Sequence, residues 1–361
     1  MEFSIDEVKF VSEIDFSDVV EIKSNRTNYN VYYSNKTLDE LFKETYDSED
    51  FIFIDRNVHN LSVDTFKNLN ENNIIIFDAL EENKNIESVL QITDALYNIN
   101  FTKKNKLIVI GGGITQDVGG FAAAIYKRGI KWSFIPTTLL SMTDSCIGSK
   151  VSINRKSKNI LGMFVAPNKI FISDYFFKSL NKNDLISGLG ESLKLSLIGG
   201  NNTFELFKVQ LEKNDYISII KLSSLIKKQI IEYDEFENNV RKVLNYGHTI
   251  GHAIESTTNF AIPHGIAVLI GMYIKNKLFY EDKHLKINKL ILQLVDPIYF
   301  NLKFDYDVFI NHILSDKKNN GNNICFILLD EVGKSKIIYT PIENVNLKLK
   351  QIVFEIFSID C

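Results

Sequence analysis

The chain has 361 residues, of which 45% are apolar and 24% charged, and a formal net charge of −4. That length is more than one hydrophobic core usually serves, so two domains are expected, with the composition of a globular protein. The acidic balance gives no argument for nucleic acid as a partner, and no apolar run approaches the length of a membrane span, so neither nucleic acid nor membrane is expected.

Met1-Glu2-Phe3-Ser4-Ile5-Asp6 lacks the basic and apolar regions of a leader peptide. Cys146, Cys325 and Cys361 are odd in number, far apart and without a CxxC pair, which argues for a reducing cytoplasm over a disulfide framework.

Short β-like runs at Val19–Ile22 and Tyr29–Tyr33 read as edge strands. Then the apolar runs Phe51–Ile54, Ile74–Phe77, Leu107–Ile110 and Trp132–Ile135 read as buried strands, separated by helical spacing as in Ile86–Leu96. Such alternation implies a parallel sheet covered by helices.

Ile110 runs into Gly111-Gly112-Gly113, with Asp117 just beyond, and Val118–Tyr126 looks helical. Glycines at the carboxyl end of a strand let backbone approach a phosphate, and the next helix offers unpaired N–H groups; a triplet of glycines is equally a plain tight turn. The next strand leads to Pro136-Thr137-Thr138-Leu139-Leu140, where the hydroxyls suit either the same nucleotide or a helix cap. Lys150, Arg155, Lys156 and Lys158 cluster on an acidic chain, as an anion site or as a solvated loop.

Beyond residue 178 the strand pattern stops. Residues 186–198, 204–236, 241–257, 264–281, 286–297 and 306–316 read as helices; β-like runs at Ile324–Leu329 and Lys336–Tyr339 and a terminal helix over 344–357 follow. The expected fold class is therefore α/β: a Rossmann-like parallel-sheet domain over 1–178 and a mostly helical domain over 179–361.

The helical half holds the densest chemistry. Three of the six histidines lie between Arg241 and His264. His248 and His252 are spaced i, i+4 on one helix face, and Pro263 returns His264 at the start of the next helix. Clustered imidazoles suit zinc and similar ions, although Thr249 replaces the Glu of the protease motif HExxH. Glu191 and Lys194 share a helix face at i, i+3; the carboxylate can be a third ligand, or the two can be a plain ion pair.

The order of motifs, from Gly111-Gly112-Gly113 through Tyr126-Lys127-Arg128-Gly129, Pro136–Leu140, Asp144 to Lys150, Lys158-Asn159, Gly190-Glu191, Arg241–His252 and Pro263-His264-Gly265 to Asp316-Lys317-Lys318, resembles the 3-dehydroquinate synthase family of sugar-phosphate cyclases over about residues 50 to 335. The resemblance implies a zinc or cobalt ion on Glu191, His248 and His264. It implies NAD across the domain cleft, touching Asp55, Glu81, Lys84, Gly112, Gly113, Asp117, Thr137, Thr138, Leu140, Asp144, Lys150 and Ser179. Catalytic and substrate contacts are implied for Lys150, Asn159, Lys194, Lys227, Arg241, Asn245 and His252, and for Lys317 or its neighbour Lys318, with Arg128 reaching the second subunit of a homodimer.

The implied reaction is a carbon–oxygen lyase cyclisation of a keto-deoxy heptulosonate phosphate to 3-dehydroquinate, in the shikimate pathway to aromatic amino acids. A hydroxyl is oxidised, the acidified neighbour eliminates phosphate, the hydride returns, and an aldol step closes the carbocycle. The basic residues would neutralise the substrate's carboxylate and phosphate.

Departures from the family pattern are Gln116 for a glycine, Gly148-Ser149-Lys150-Val151-Ser152 for Gly-Gly-Lys-Thr-Gly, and a loop from Lys150 to Asn159 one residue shorter. Other readings are a cyclase for sedoheptulose 7-phosphate or a hexose phosphate, a metal-dependent polyol dehydrogenase of the glycerol dehydrogenase kind, and a nucleotide-binding module without catalysis.

Overall fold

A computed structural model of the chain describes residues 1–281, 283–316 and 318–357. The chain divides into two compact units, neither of them continuous in sequence. One comprises Asp15–Leu180 and Asn214–Phe236, the other Met1–Ile14, Asn181–Lys213 and the chain from Glu237 on. The main crossing, after Leu180, lies close to the expected join at 178, but two segments change sides.

The first is the amino-terminal hairpin. Glu2–Ile5 pairs parallel with Lys334–Pro341 and antiparallel with Val8–Val11, completing a four-stranded sheet with Asn323–Glu331. The second is helix Tyr216–Tyr233, which joins the α/β unit through Lys221 to Asp18 at 2.6 Å and Lys227 to Asp144 at 2.8 Å. The single helix expected over 204–236 is thus two, Asn201–Glu212 and Tyr216–Tyr233, parted where Asn214 takes a left-handed φ of 54° and Asp215 caps the second through the Ser218 amide.

The α/β unit carries a seven-stranded sheet in the order Val19–Ile22, Tyr29–Ser34, Lys169–Ser173, Lys131–Pro136, Lys106–Gly111, Phe51–Asp55, Ile74–Phe77. Only Val19–Ile22 runs antiparallel to its neighbour. Tyr29–Ser34, expected at an edge, is one strand in from it. Phe51–Asp55 is buried at every position and Lys106–Gly111 at all but its first, as strands covered on both faces should be.

After Phe51–Asp55 the chain crosses outward to Ile74–Phe77, then returns to place Lys106–Gly111 on the other flank of Phe51–Asp55. The crossovers diverge there, at the carboxyl ends of two adjacent parallel strands, the position at which open α/β sheets take their ligands. Asp55 and Gly111 are those ends. The basic segment beyond Lys150 is a β-hairpin, Lys150–Ile153 with Leu161–Phe164, in which Lys150, Lys156 and Lys158 are exposed.

In the other unit, helix Lys182–Ile198 is buried continuously from Ile186 onward, and His264–Tyr280 buries twelve residues around its whole circumference. Helices apolar all round are interior helices. Their backbones meet at glycine: a Cβ on Gly265 would lie 1.9 Å from the Ser187 carbonyl oxygen, and one on Gly190 2.4 Å from that of Gly265. This close approach sets Glu191 of one helix against His264 of the other. Among the described residues no helix is long and apolar enough to cross a membrane.

Candidate active site

The stretch from Arg241 to His252, expected as one helix, is a 3-10 turn over Val240–Asn245 followed by helix His248–Thr257. Gly247 separates them with a φ of +82°, a conformation glycine adopts without strain. The break turns His248 onto the first position of its helix. Pro263 likewise ends the preceding loop so that His264 opens helix His264–Tyr280.

These two histidines and Glu191 converge. Glu191 is fully buried; its Oε1 lies 3.4 Å from His248 Nε2 and 3.3 Å from His264 Nε2, and accepts no well-formed hydrogen bond among the described residues. The other carboxylate oxygen takes the ammonium of Lys194, one turn on along the same helix and equally buried. Burial would raise the Glu191 pKa, but the Lys194 charge and then His264 prevail and hold it down at about 2. The donor set is one ionised oxygen with a vacant lone pair and two imidazole nitrogens, which is what a divalent ion of zinc type requires.

The ring of His252 stands 5.1 Å from that of His248 and 5.5 Å from that of His264. The three imidazoles have ligand atoms within 4.8 Å of one another, so four donors crowd one spot. His252 is the most exposed of the four; packing around its ring, then the positive charges of His248 and Lys318, press its pKa well below the ordinary imidazole value.

Behind the cluster two of the imidazoles have an acceptor. His264 Nδ1 lies 2.9 Å from Glu255 Oε2, and His248 Nδ1 lies 3.3 Å from the Tyr246 carbonyl. Burial would lower the His264 pKa, but Glu255 and Glu191 together raise it to about 10. Arg241 is buried in the turn before the cluster, and Asn245 donates to Glu237 at 2.9 Å. Lys317 lies outside the described residues; Lys318 is 3.4 Å from Asp316 and near enough to His252 to act on its charge.

The α/β unit gathers a second group. Lys84 bridges Asp117 at 2.5 Å and Asn159 Oδ1 at 2.6 Å, and the Ser152 amide donates to Asp117 at 2.9 Å. Burial pushes the Asp117 carboxyl up, against the pull of Lys84. Asn154 binds the hairpin to this group: it donates to Glu81 Oε1 at 2.8 Å and accepts from the Asn159 amide at 2.8 Å, while its own amide donates to the Lys84 carbonyl at 2.7 Å.

Gly112 and Gly113 open helix Gly113–Ile125 with no side-chain cap, leaving first-turn amides for an anion. Thr138 caps its own turn by accepting from the Ser141 amide at 3.2 Å; the backbone of Thr137 donates to the Gly111 carbonyl at 3.0 Å. Leu140 lies within that turn, half-buried. Gln116, where the resemblance expects glycine, exchanges hydrogen bonds with Ser145 at 2.8 and 2.6 Å.

Asp55 caps helix Arg56–Leu61 through the Asn57 amide at 2.7 Å, and Lys227 holds Asp144. Ser179 is exposed and donates to the Phe176 carbonyl at 2.8 Å. Lys150 and Arg128 are exposed, and Arg128 follows Lys127 in two successive left-handed φ values, 48° and 64°.

Residues 74–187 match the family model described as 3-dehydroquinate synthase N-terminal, and residues 188–319 match 3-dehydroquinate synthase C-terminal. The 3-dehydroquinate synthase of Pelagibacter ubique (strain HTCC1062) is 36% identical, covering 92% of this chain and 98% of its own. That of Clostridium tetani (strain Massachusetts / E88) is 37% identical, covering 88% and 90%.

The chain belongs to the 3-dehydroquinate synthase family.

The fold is shared with solved structures of 2-deoxy-scyllo-inosose synthase complexed with carbaglucose-6-phosphate, NAD+ and Co2+ (TM-score 0.77, 23% identity, 93% of this chain and 99% of that one) and of 2-epi-5-epi-valiolone synthase from Streptomyces hygroscopicus subsp. jinggangensis 5008 with NAD+ and Zn2+ (TM-score 0.75, 20%, 91% and 98%). Within this family member, sequence reasoning missed Glu255, Glu237 and Asn154. Glu255 was detectable as the one acidic residue on the His248 helix, seven positions after His248 and nine before His264. Asn154 and Glu237 carry no local signal, because Glu81, to which Asn154 donates, is 73 residues away and Glu237 itself takes a left-handed φ of 60°.

Proposed function

We propose that this family member is a 3-dehydroquinate synthase: a carbon–oxygen lyase that converts 3-deoxy-D-arabino-heptulosonate 7-phosphate to 3-dehydroquinate and phosphate, with NAD and a divalent ion as cofactors. The observation that carries the reading is Glu191 Oε1, a buried ionised oxygen left without a hydrogen bond between two imidazole nitrogens. A buried carboxylate oxygen with no hydrogen bond of its own is costly even where the other oxygen is paired with a lysine, unless a cation completes it. Glu191, His248 and His264 would hold zinc or cobalt, with His252 beside them. The metal would lower the pKa of a coordinated substrate hydroxyl, and NAD would accept and return a hydride.

The chain's own residues do the rest. Lys194 keeps Glu191 ionised. Arg241, Lys194 and Lys318 supply positive charge on a chain of net charge −4, as a substrate bearing a carboxylate and a phosphate demands. His252 is held neutral, able to accept a proton and return it.

In the α/β unit, the amides opening Gly113–Ile125 suit a pyrophosphate, and Asp55, at the divergence of the crossovers, suits a ribose hydroxyl. Lys150, Asn159 and Lys227 are assigned to substrate, Glu81, Lys84, Asp117, Thr137, Thr138, Leu140, Asp144 and Ser179 to NAD. Exposed Arg128 is assigned to a second copy in a homodimer.

The test is a phosphate-release assay across candidate sugar phosphates with Zn2+ or Co2+ and NAD. Release from the heptulosonate phosphate, with dehydroquinate formed, supports the reading; release only from sedoheptulose 7-phosphate or a hexose phosphate contradicts it.

A further inference from the structure

Resting on the metal reading above, we propose that Glu255 is the positioning residue that fixes the tautomer of His264 and thereby decides which ring nitrogen meets the ion. Glu255 is buried, with its Oε2 2.9 Å from His264 Nδ1. An ionised carboxylate only accepts hydrogen bonds, so the neutral ring carries its proton on Nδ1. Nε2, 3.3 Å from Glu191 Oε1, is then the lone pair offered to a cation.

His248 is held more loosely, by a neutral backbone carbonyl at 3.3 Å. The two ligands therefore differ in backing, one charged and close, the other uncharged and longer. A carboxylate behind an imidazole also makes the opposite nitrogen a stronger donor, and such partners typically govern metal affinity 10–100-fold.

Helix His248–Thr257 carries both His248 and Glu255, so one element supplies a ligand and also the support for the ligand that opens the next helix. The loop between them is pinned by the Phe260 amide on the Glu255 carbonyl at 2.7 Å.

The experiment is Co2+ titration of the full chain against a chromophoric chelator, with the cobalt d–d spectrum recorded, for the wild type, Glu255→Gln and Glu255→Leu. Gln keeps an acceptor without the charge and should weaken Co2+ binding about 10-fold; Leu removes both and should approach about 100-fold, with an altered spectrum. Both variants binding within twofold of the wild type with an unchanged spectrum overturns the inference alone. A wild type that takes up no Co2+ overturns the metal reading, and this inference with it.

Nitrogen-15 NMR of the Zn2+-loaded wild type needs no variant to fold. It should show the His264 proton on Nδ1, and a proton on Nε2 refutes the assignment.

Discussion

The two units build their functional groups in opposite ways. In the unit of interior helices, Glu191, His248, His252 and His264 come from three helices whose glycines allow close approach, and the Glu191 carboxylate is fully buried with a lysine locked against it. In the α/β unit the corresponding side chains come from helix Gly113–Ile125, the end of a 3-10 turn and a hairpin, tied by hydrogen bonds among Lys84, Asp117, Asn154 and Asn159 that run from a buried lysine to an exposed loop. The first arrangement fixes geometry by packing, and the second by a polar network. Packing tolerates little change in volume, whereas a network at the surface loses its bonds one at a time.

The largest effect should come from Glu191→Gln. It removes the charge of the proposed ligand and leaves Lys194 buried without its carboxylate, so turnover should fall by more than the roughly 100-fold limit seen for supporting residues. Steady-state phosphate release and metal content by mass spectrometry check this. Chelation of the wild type should give the same loss, reversed by Zn2+ or Co2+.

Gly265→Ala comes next. The added methyl meets the Ser187 carbonyl at 1.9 Å, and relief requires the two helices to part. A destabilisation of about 1–3 kcal/mol is expected, together with weakened metal binding, as read by denaturant unfolding and cobalt titration. Full stability with full metal affinity would show that packing does not set this geometry.

Lys275 gives the packed unit a pH signature. Its amine is fully buried, donates to the Ile327 carbonyl at 2.8 Å and lies 3.1 Å from the centre of the Tyr246 ring. Desolvation sets its pKa well below 10.5. Above that lowered pKa the folded amine is neutral while the unfolded one is still protonated, so stability should rise with pH up to about 10.5, by at most about 1.4 kcal/mol per unit. Lys275→Met should flatten that slope in pH-dependent denaturation; an unchanged slope would contradict the assignment.

Asn154→Ala should have the smallest effect. Losing side-chain bonds worth about 0.5–1.5 kcal/mol each should raise KM by about tenfold, with stability near wild type and kcat changed less. A kcat loss exceeding the KM change would mean that the network acts on chemistry and not on binding.

The same contrast explains what the sequence made legible. The histidine cluster was readable because His248 and His252, one helical turn apart, leave a local spacing, and the buried strands because strands covered on both faces are apolar throughout. The break at Gly247 was not readable as such, since glycine alone does not declare a left-handed turn, and the division at Asn214 depends on a residue usually tolerated within helices. The sheet completed by Glu2–Ile5 was invisible for another reason: its partner, Lys334–Pro341, lies at the other end of the chain. The hairpin beyond Lys150 read as a basic loop because its charges mask two strands of four residues each.

The most direct test follows phosphate, dehydroquinate and absorbance at 340 nm together in one reaction of the wild type with 3-deoxy-D-arabino-heptulosonate 7-phosphate, NAD and Co2+. Phosphate and dehydroquinate should appear in equal amounts while NADH stays flat, because the hydride taken is given back. Accumulation of NADH in step with substrate consumption, without phosphate release, would make the protein a dehydrogenase and contradict the account.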